Sequence, residues 1–147
     1  MRKAVFLGLL VVLTASMGAG PAAARQEQSQ AAGDKQAISY DKWLAAKASA
    51  EKNDADGKFV EALQYYLEYA RQAEGLGRRD LTAWGKNNAA YMIIKMHRGD
   101  PTVDLAPARR LLEEGLAVPE ATEDCRQVMS RNLEYTRLFL RSPGTAG

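Results

Sequence analysis

The stretch Gly57-Lys-Phe-Val-Glu-Ala-Leu-Gln-Tyr-Tyr-Leu-Glu-Tyr-Ala70 constrains the fold more than any other part of the chain. Asn53-Asp-Ala-Asp-Gly57 carries helix-breaking chemistry. Directly behind it Phe59, Ala62, Leu63, Tyr65, Tyr66, Tyr69, Ala70 and Ala73 recur on one side of a helix, with Glu61, Gln64, Glu68, Arg71 and Gln72 on the other. A glycine turn that leads straight into an amphipathic helix needs a partner helix before the turn to cover the apolar side. Tyr40, Trp43, Leu44 and Ala50 supply one, with Ser39 as its N-cap. The clustered tyrosines read as core rings with hydroxyls at the edge rather than as a ligand cage.

The same logic extends to the C-terminus. Gly75-Leu-Gly77 ends the second helix, and Asp80 or Thr82 is expected to cap a third that runs through Trp84, Tyr91, Met92, Ile93 and Ile94 to about His97. Its apolar residues spread nearly all round, so it is expected at the centre of the domain, with Asn87 and Asn88 clamping a neighbour. A fourth helix opens at Asp104, tolerates Pro107 in its first turn and stops at Pro119. Thr122 caps a fifth, whose expected stripe is Cys125, Val128, Met129, Asn132, Tyr135 and Phe139. Leu133 and Leu140 fall off that stripe and are expected as an exposed apolar strip. The fold class is therefore all-α, with antiparallel helical hairpins spanning residues 39–141 and a flexible tail at 142–147.

Ahead of these helices, Arg2 and Lys3 precede an apolar run over residues 4–15, and a small-residue segment ends in Ala22-Ala23-Ala24. That order reads as a secretory signal peptide over residues 1–24, cut after Ala24. The run is shorter than the roughly 20 apolar residues of a comfortable span, so no stable membrane span is expected after cleavage. Residues 25–38, rich in Gln, Ala, Ser and charge, read as a disordered leader. The expected location is periplasmic or secreted, in a bacterial envelope.

Charge narrows the partners. Twenty Lys and Arg stand against 18 Asp and Glu, and loss of Arg2 and Lys3 with the signal leaves a formally neutral chain. Nucleic-acid binding needs a gathered basic excess, which is missing. Near-neutrality removes a barrier to self-association and leaves a homo-oligomer open. Cys125 is the only cysteine, so no internal disulfide can form, and its place on an apolar stripe makes it a core residue. With a single His and no metal-ligand spacing, nucleophile elbow or phosphate-binding loop, the chain is read as non-catalytic, with no cofactor and no metal site.

Gly57, Phe59, Ala62, Tyr66 and Ala70 resemble the turn and second helix of the tetratricopeptide repeat family, a helix pair of roughly 34 residues. Trp84 and Tyr91 have that family's first-helix spacing, and Ala108, Leu112 and Gly115 repeat the second-helix spacing. The pattern departs where Asn87-Asn88 replaces a small pair, where Trp43 sits one turn early, and where the interval from Ala62 to Ala108 exceeds one repeat. The resemblance implies two degenerate repeats and a capping helix, stacked as a short right-handed superhelix. It also implies an exported scaffold that binds a protein or peptide in a groove lined by the first helix of each pair. On that groove the expected contacts are Lys47, Asn88, Met92 and Lys95, the last three sharing a face of the third helix. Two alternatives stand beside this reading: a self-associating structural protein, and a small-molecule carrier with a pocket lined by Tyr and Met.

Overall fold

The computed structural model describes residues 37–140, which form five α-helices and no strand. These are α1 (Tyr40–Ala55), α2 (Phe59–Gly75), α3 (Arg79–Gly99), α4 (Ala106–Leu116) and α5 (Glu123–Leu140). The chain divides at Ala37 and Ile38 into two units, and all five helices belong to the second. The expected signal peptide and tail, and most of the expected leader, lie outside the described residues.

Two turns of the same geometry set the course of the first three helices. Gly57 and Gly77 take φ of 73° and 72°, the left-handed region where a side chain is strained. In each turn the next residue donates back across the helix end, Lys58 N to Asn53 O and Arg78 N to Ala73 O, both at 2.8 Å. This is the Schellman closure, which satisfies carbonyls that a helix end leaves open. The chain then re-enters a helix at once, so consecutive helices fold back on each other. Ser39 N, at the start of α1, accordingly donates to Gln72 Oε1 near the end of α2 at 2.9 Å.

Capping follows local chemistry at two helix starts, where Ser39 Oγ accepts from Lys42 N at 3.2 Å and Thr122 Oγ1 from Cys125 N at 3.3 Å. The fourth helix has Leu105 at its N-cap without a side-chain bond, and Asp104 Oδ1 instead accepts from Ala106 N at 2.8 Å in a local turn just before it. The third helix departs from expectation. It begins at Arg79 without a side-chain cap, Asp80 pairs with Arg78, and the Thr82 hydroxyl donates back to Arg78 O. The Gly77 turn already delivers the chain in helical register.

Helix α3 occupies the centre, packing on α2 and α4 most extensively and on α5 as well. One core cluster joins α3, α4 and α5 through Ala90, Ile93, Ile94, Leu105, Leu112, Cys125, Met129 and Leu133. A smaller one joins α1, α2 and α3 through Ala50, Ala62, Tyr66, Ala89 and Met92. Small residues decide how closely the helices approach. A Cβ at Gly85 would stand 2.9 Å from Ala70 Cα and 2.7 Å from the Tyr69 ring, so α2 and α3 meet where only glycine fits.

Burial corrects several sequence assignments. Gln72, placed on the solvent side of its helix, is fully buried, because its amide is the bridge that receives Ser39 N and donates to Glu68. Tyr65, placed on the packed side, is 41% exposed. On α5 the stripe is rotated: Leu133 is buried rather than part of an exposed strip, and Phe139 is 49% exposed rather than core. The side chain of Leu140 lies outside the described residues. Cys125 is buried as expected, and desolvation pushes its thiol up to about 11.

Candidate docking face

Polar side-chain contacts link α3 to both α1 and α5. On α1, Lys47, Glu51 and Asp54 follow i, i+4, i+7 spacing and so share one side. On α3 the corresponding row is Asn88, Tyr91, Lys95 and Arg98, and on α5 it is Asn132, Tyr135 and Phe139. The Lys95 ammonium pairs with Asp54, which ties α3 to α1. Asn132 Nδ2 donates to Asn87 Oδ1 at 3.0 Å, and Asn87 Nδ2 donates to Asn88 Oδ1 at 3.1 Å, which ties α5 to α3.

A ladder of cations and rings runs across the same face. Lys95 Nζ lies 5.4 Å from the Phe59 ring centroid and 5.2 Å from that of Tyr91. Next along α3, the Arg98 guanidinium lies 5.8 Å from Tyr91 and 4.9 Å from Tyr135. Tyr135 in turn packs on Phe139 at 4.7 Å, and Phe139 meets the His97 ring edge-on at 5.2 Å. Such contacts contribute about 0.5–1 kcal/mol each where exposed, so the ladder orients its members more than it holds the fold.

The four residues expected to line a groove fare differently. Lys47 is on the face, paired with Glu51 at 2.7 Å. Asn88 is half-buried, with its amide oxygen taken by Asn87. Lys95 is half-buried and engaged by Asp54 and two rings, so its charge is already answered within the domain. Met92 is 1% exposed and belongs to the second core cluster, so it offers nothing to a partner in this conformation. It lies one helical step inward of Tyr91, which takes the surface position instead.

Arg98 is not among the residues that the sequence places on the groove; there it belongs to the turn Arg98-Gly-Asp-Pro-Thr-Val103, whose first three residues spell an adhesion-type tripeptide that recurs by chance. Among the four Lys and Arg of α3, Arg79, Lys86 and Lys95 form ion pairs with Glu120, Glu114 and Asp54. Arg98 has no carboxylate partner among the described residues; it is exposed and lies over two rings. The signal available was its i+7 spacing from Tyr91, yet nothing in the sequence reveals that Tyr135 of α5 stands on its other side.

His97 has a structural role. Its Nδ1 lies 2.9 Å from Val103 O, and as the N–H donor it holds the turn after α3 against the helix end. Asp100 accepts from both the amide and the hydroxyl of Thr102, which holds its carboxyl below the usual range. Among the described residues there is no group of three or more His, Cys, Asp or Glu arranged to hold a metal ion, and no helix long and apolar enough to cross a membrane. Comparison with protein-family models, curated proteins and solved structures yields no match.

Proposed function

We propose that this chain is an exported, non-catalytic scaffold of the helical-repeat type, which docks a protein or peptide segment on the face made by α1, α3 and α5. The observation that carries this reading is Arg98: a guanidinium oriented by Tyr91 and Tyr135 and not matched to a carboxylate, in a helix whose other basic residues of that kind are all paired. Arginine held flat on aromatic rings keeps its N–H edges free for an incoming acceptor, and Tyr and Arg are the residues in which interface energy concentrates. Asn88 and Phe139 extend the surface with an amide and an exposed ring.

The repeat aspect draws support from burial: Ala62, Ala108 and Gly115, small positions of the resemblance, are all buried, although the final small position of the first repeat falls on Tyr69. Export draws support from Arg2, Lys3, the apolar run and Ala22-Ala23-Ala24. N-terminal sequencing of the exported product is expected to begin at Arg25, and a product that retains Met1 would overturn that part.

The docking reading is tested by selecting short displayed random peptides on the full chain and measuring the selected sequences against Arg98→Glu and Asn88→Asp variants. Both positions are surface-accessible, so the fold should persist. Binding is expected to fall on the order of tenfold or more with Arg98→Glu. Peptides that bind all three forms equally would place recognition on another surface.

A further inference from the structure

At the opposite end of the hairpin from Lys95 and Asp54, the start of α1 and the α2–α3 turn enclose a cleft of ≈ 220 Å³ lined by Tyr40, Trp43, Ala73, Leu76, Arg78 and Leu81. We infer that this cleft binds a small aromatic molecule bearing one hydrogen-bond acceptor. The site shares no residue with the docking face, so the two readings stand or fall separately.

The first argument is construction. Residues 38–40 are fixed although they stay exposed: Ile38 is 40% and Tyr40 59% exposed. Fully buried Gln72 receives Ser39 N, and the Ile38 side chain fills the space over Gly75, where a Cβ would lie 2.6 Å from it. A helix start that served only the core would bury these side chains. Here they are held in place and left open, with Leu44 and Leu76 exposed nearby at 42% and 38%. Pre-organised apolar walls of this kind reduce the ordering cost of binding.

The second argument is shape. Tyr40 stacks on Trp43 with centroids 5.3 Å apart, and Trp43 leans on Tyr69 at 5.2 Å, so the aromatic wall is a rigid stack. Ala73 leaves room between Leu76 and Leu81. The volume lies below the roughly 300–1,000 Å³ of pockets that hold cofactors or drug-sized ligands, which limits the occupant to one ring with a short substituent. Tyr66 and Met92, by contrast, are packed core.

The third argument is polarity. Arg78 gives Nε and Nη2 to Asp80 at 3.2 and 3.1 Å, which occupies that carboxylate and leaves Nη1 with no partner among the described residues. Trp43 Nε1 is the one buried side-chain nitrogen or oxygen without a hydrogen bond among the described residues. It faces the Tyr69 hydroxyl without meeting hydrogen-bond geometry; burial raises that hydroxyl's pKa and the indole partly opposes the rise. The indole N–H is therefore directed into the core, and Arg78 Nη1 is the donor at the cleft wall that a ligand acceptor can meet.

The test is two-dimensional NMR of the full chain titrated with benzoate, benzyl alcohol and benzylamine. Trp43 and Trp84 are the only tryptophans, so two indole N–H signals report the site and an internal control. Benzoate and benzyl alcohol are expected to move the Trp43 signal saturably and leave Trp84 in place. Benzylamine, cationic and lacking an acceptor, should bind about tenfold more weakly. Tyr40→Ser, a change at an exposed position, should weaken benzoate binding by about tenfold while the Trp84 signal keeps its folded position. The proposal is overturned if no probe moves Trp43, if both indoles move alike, if benzylamine matches benzoate, or if Tyr40→Ser binds as well as the parent.

Discussion

Arg126 shows how one side chain can close a connection that lacks regular structure. Its guanidinium donates to the carbonyls of Leu116, Val118, Pro119 and Ala121, so it satisfies the end of α4 and the whole approach to α5. Arg126→Ala should cost about 2–3 kcal/mol in urea unfolding, and Arg126→Lys most of that, because one ammonium cannot reach four divergent acceptors. Cys125 makes a second residue-scale prediction. Its folded pKa of about 11 lies above the ordinary 9.0, so the folded state holds the proton longer than the unfolded chain. Stability from this group is complete below pH 9 and is lost as pH rises toward 11, by about 2 kcal/mol relative to Cys125→Ala. Unfolding measured for both forms across that window checks it; parallel pH profiles would contradict it. At neutral pH the native thiol should resist a thiol reagent and react only on unfolding. The core role of Cys125 was legible from its stripe, whereas Arg126 was not, since its acceptors are backbone groups whose positions depend on the completed turn.

At the scale of elements, two kinds of glycine separate cleanly. Gly57 and Gly77 serve backbone conformation and have open space where a side chain would stand, so Gly57→Ala should cost about 1 kcal/mol. Gly85 serves packing, and because the obstruction includes the Ala70 backbone, Gly85→Ala should cost more, about 2–3 kcal/mol. Thermal or urea unfolding of the two variants orders them, and an equal loss would mean that α2 and α3 can separate at little cost. All five helices and their approximate limits could be read from apolar period, caps and glycine stops, because those signals are local. The face each helix buries was less secure. Gln72, Leu133 and Phe139 were misassigned because a buried amide bridge and the small rotation of α5 are set by neighbouring helices. Gly85 was overlooked for the same reason, since close approach is a property of two helices.

At the scale of the whole molecule, the face formed by α1, α3 and α5 was legible in part. Helical spacing put Asn88 and Lys95 on one side of α3, but it could not tell that Asp54 answers Lys95, that Met92 turns inward, or that Tyr135 brackets Arg98. Those facts depend on which helices end up side by side. The Lys95–Asp54 pair is half-buried on both sides and links α3 to α1; a double-mutant cycle with Lys95→Met and Asp54→Asn should give a coupling of about 1 kcal/mol. A coupling near zero would mean that the two helices are aligned by their apolar contacts alone. The proposed docking on this face is tested by hydrogen exchange of the full chain with and without a peptide obtained by display selection. Added protection should gather in the second half of α3 and along α5 from Asn132 to Phe139, and should vanish with Arg98→Glu. Protection confined to the outer side of α2, around Val60 and Leu67, would contradict the claim.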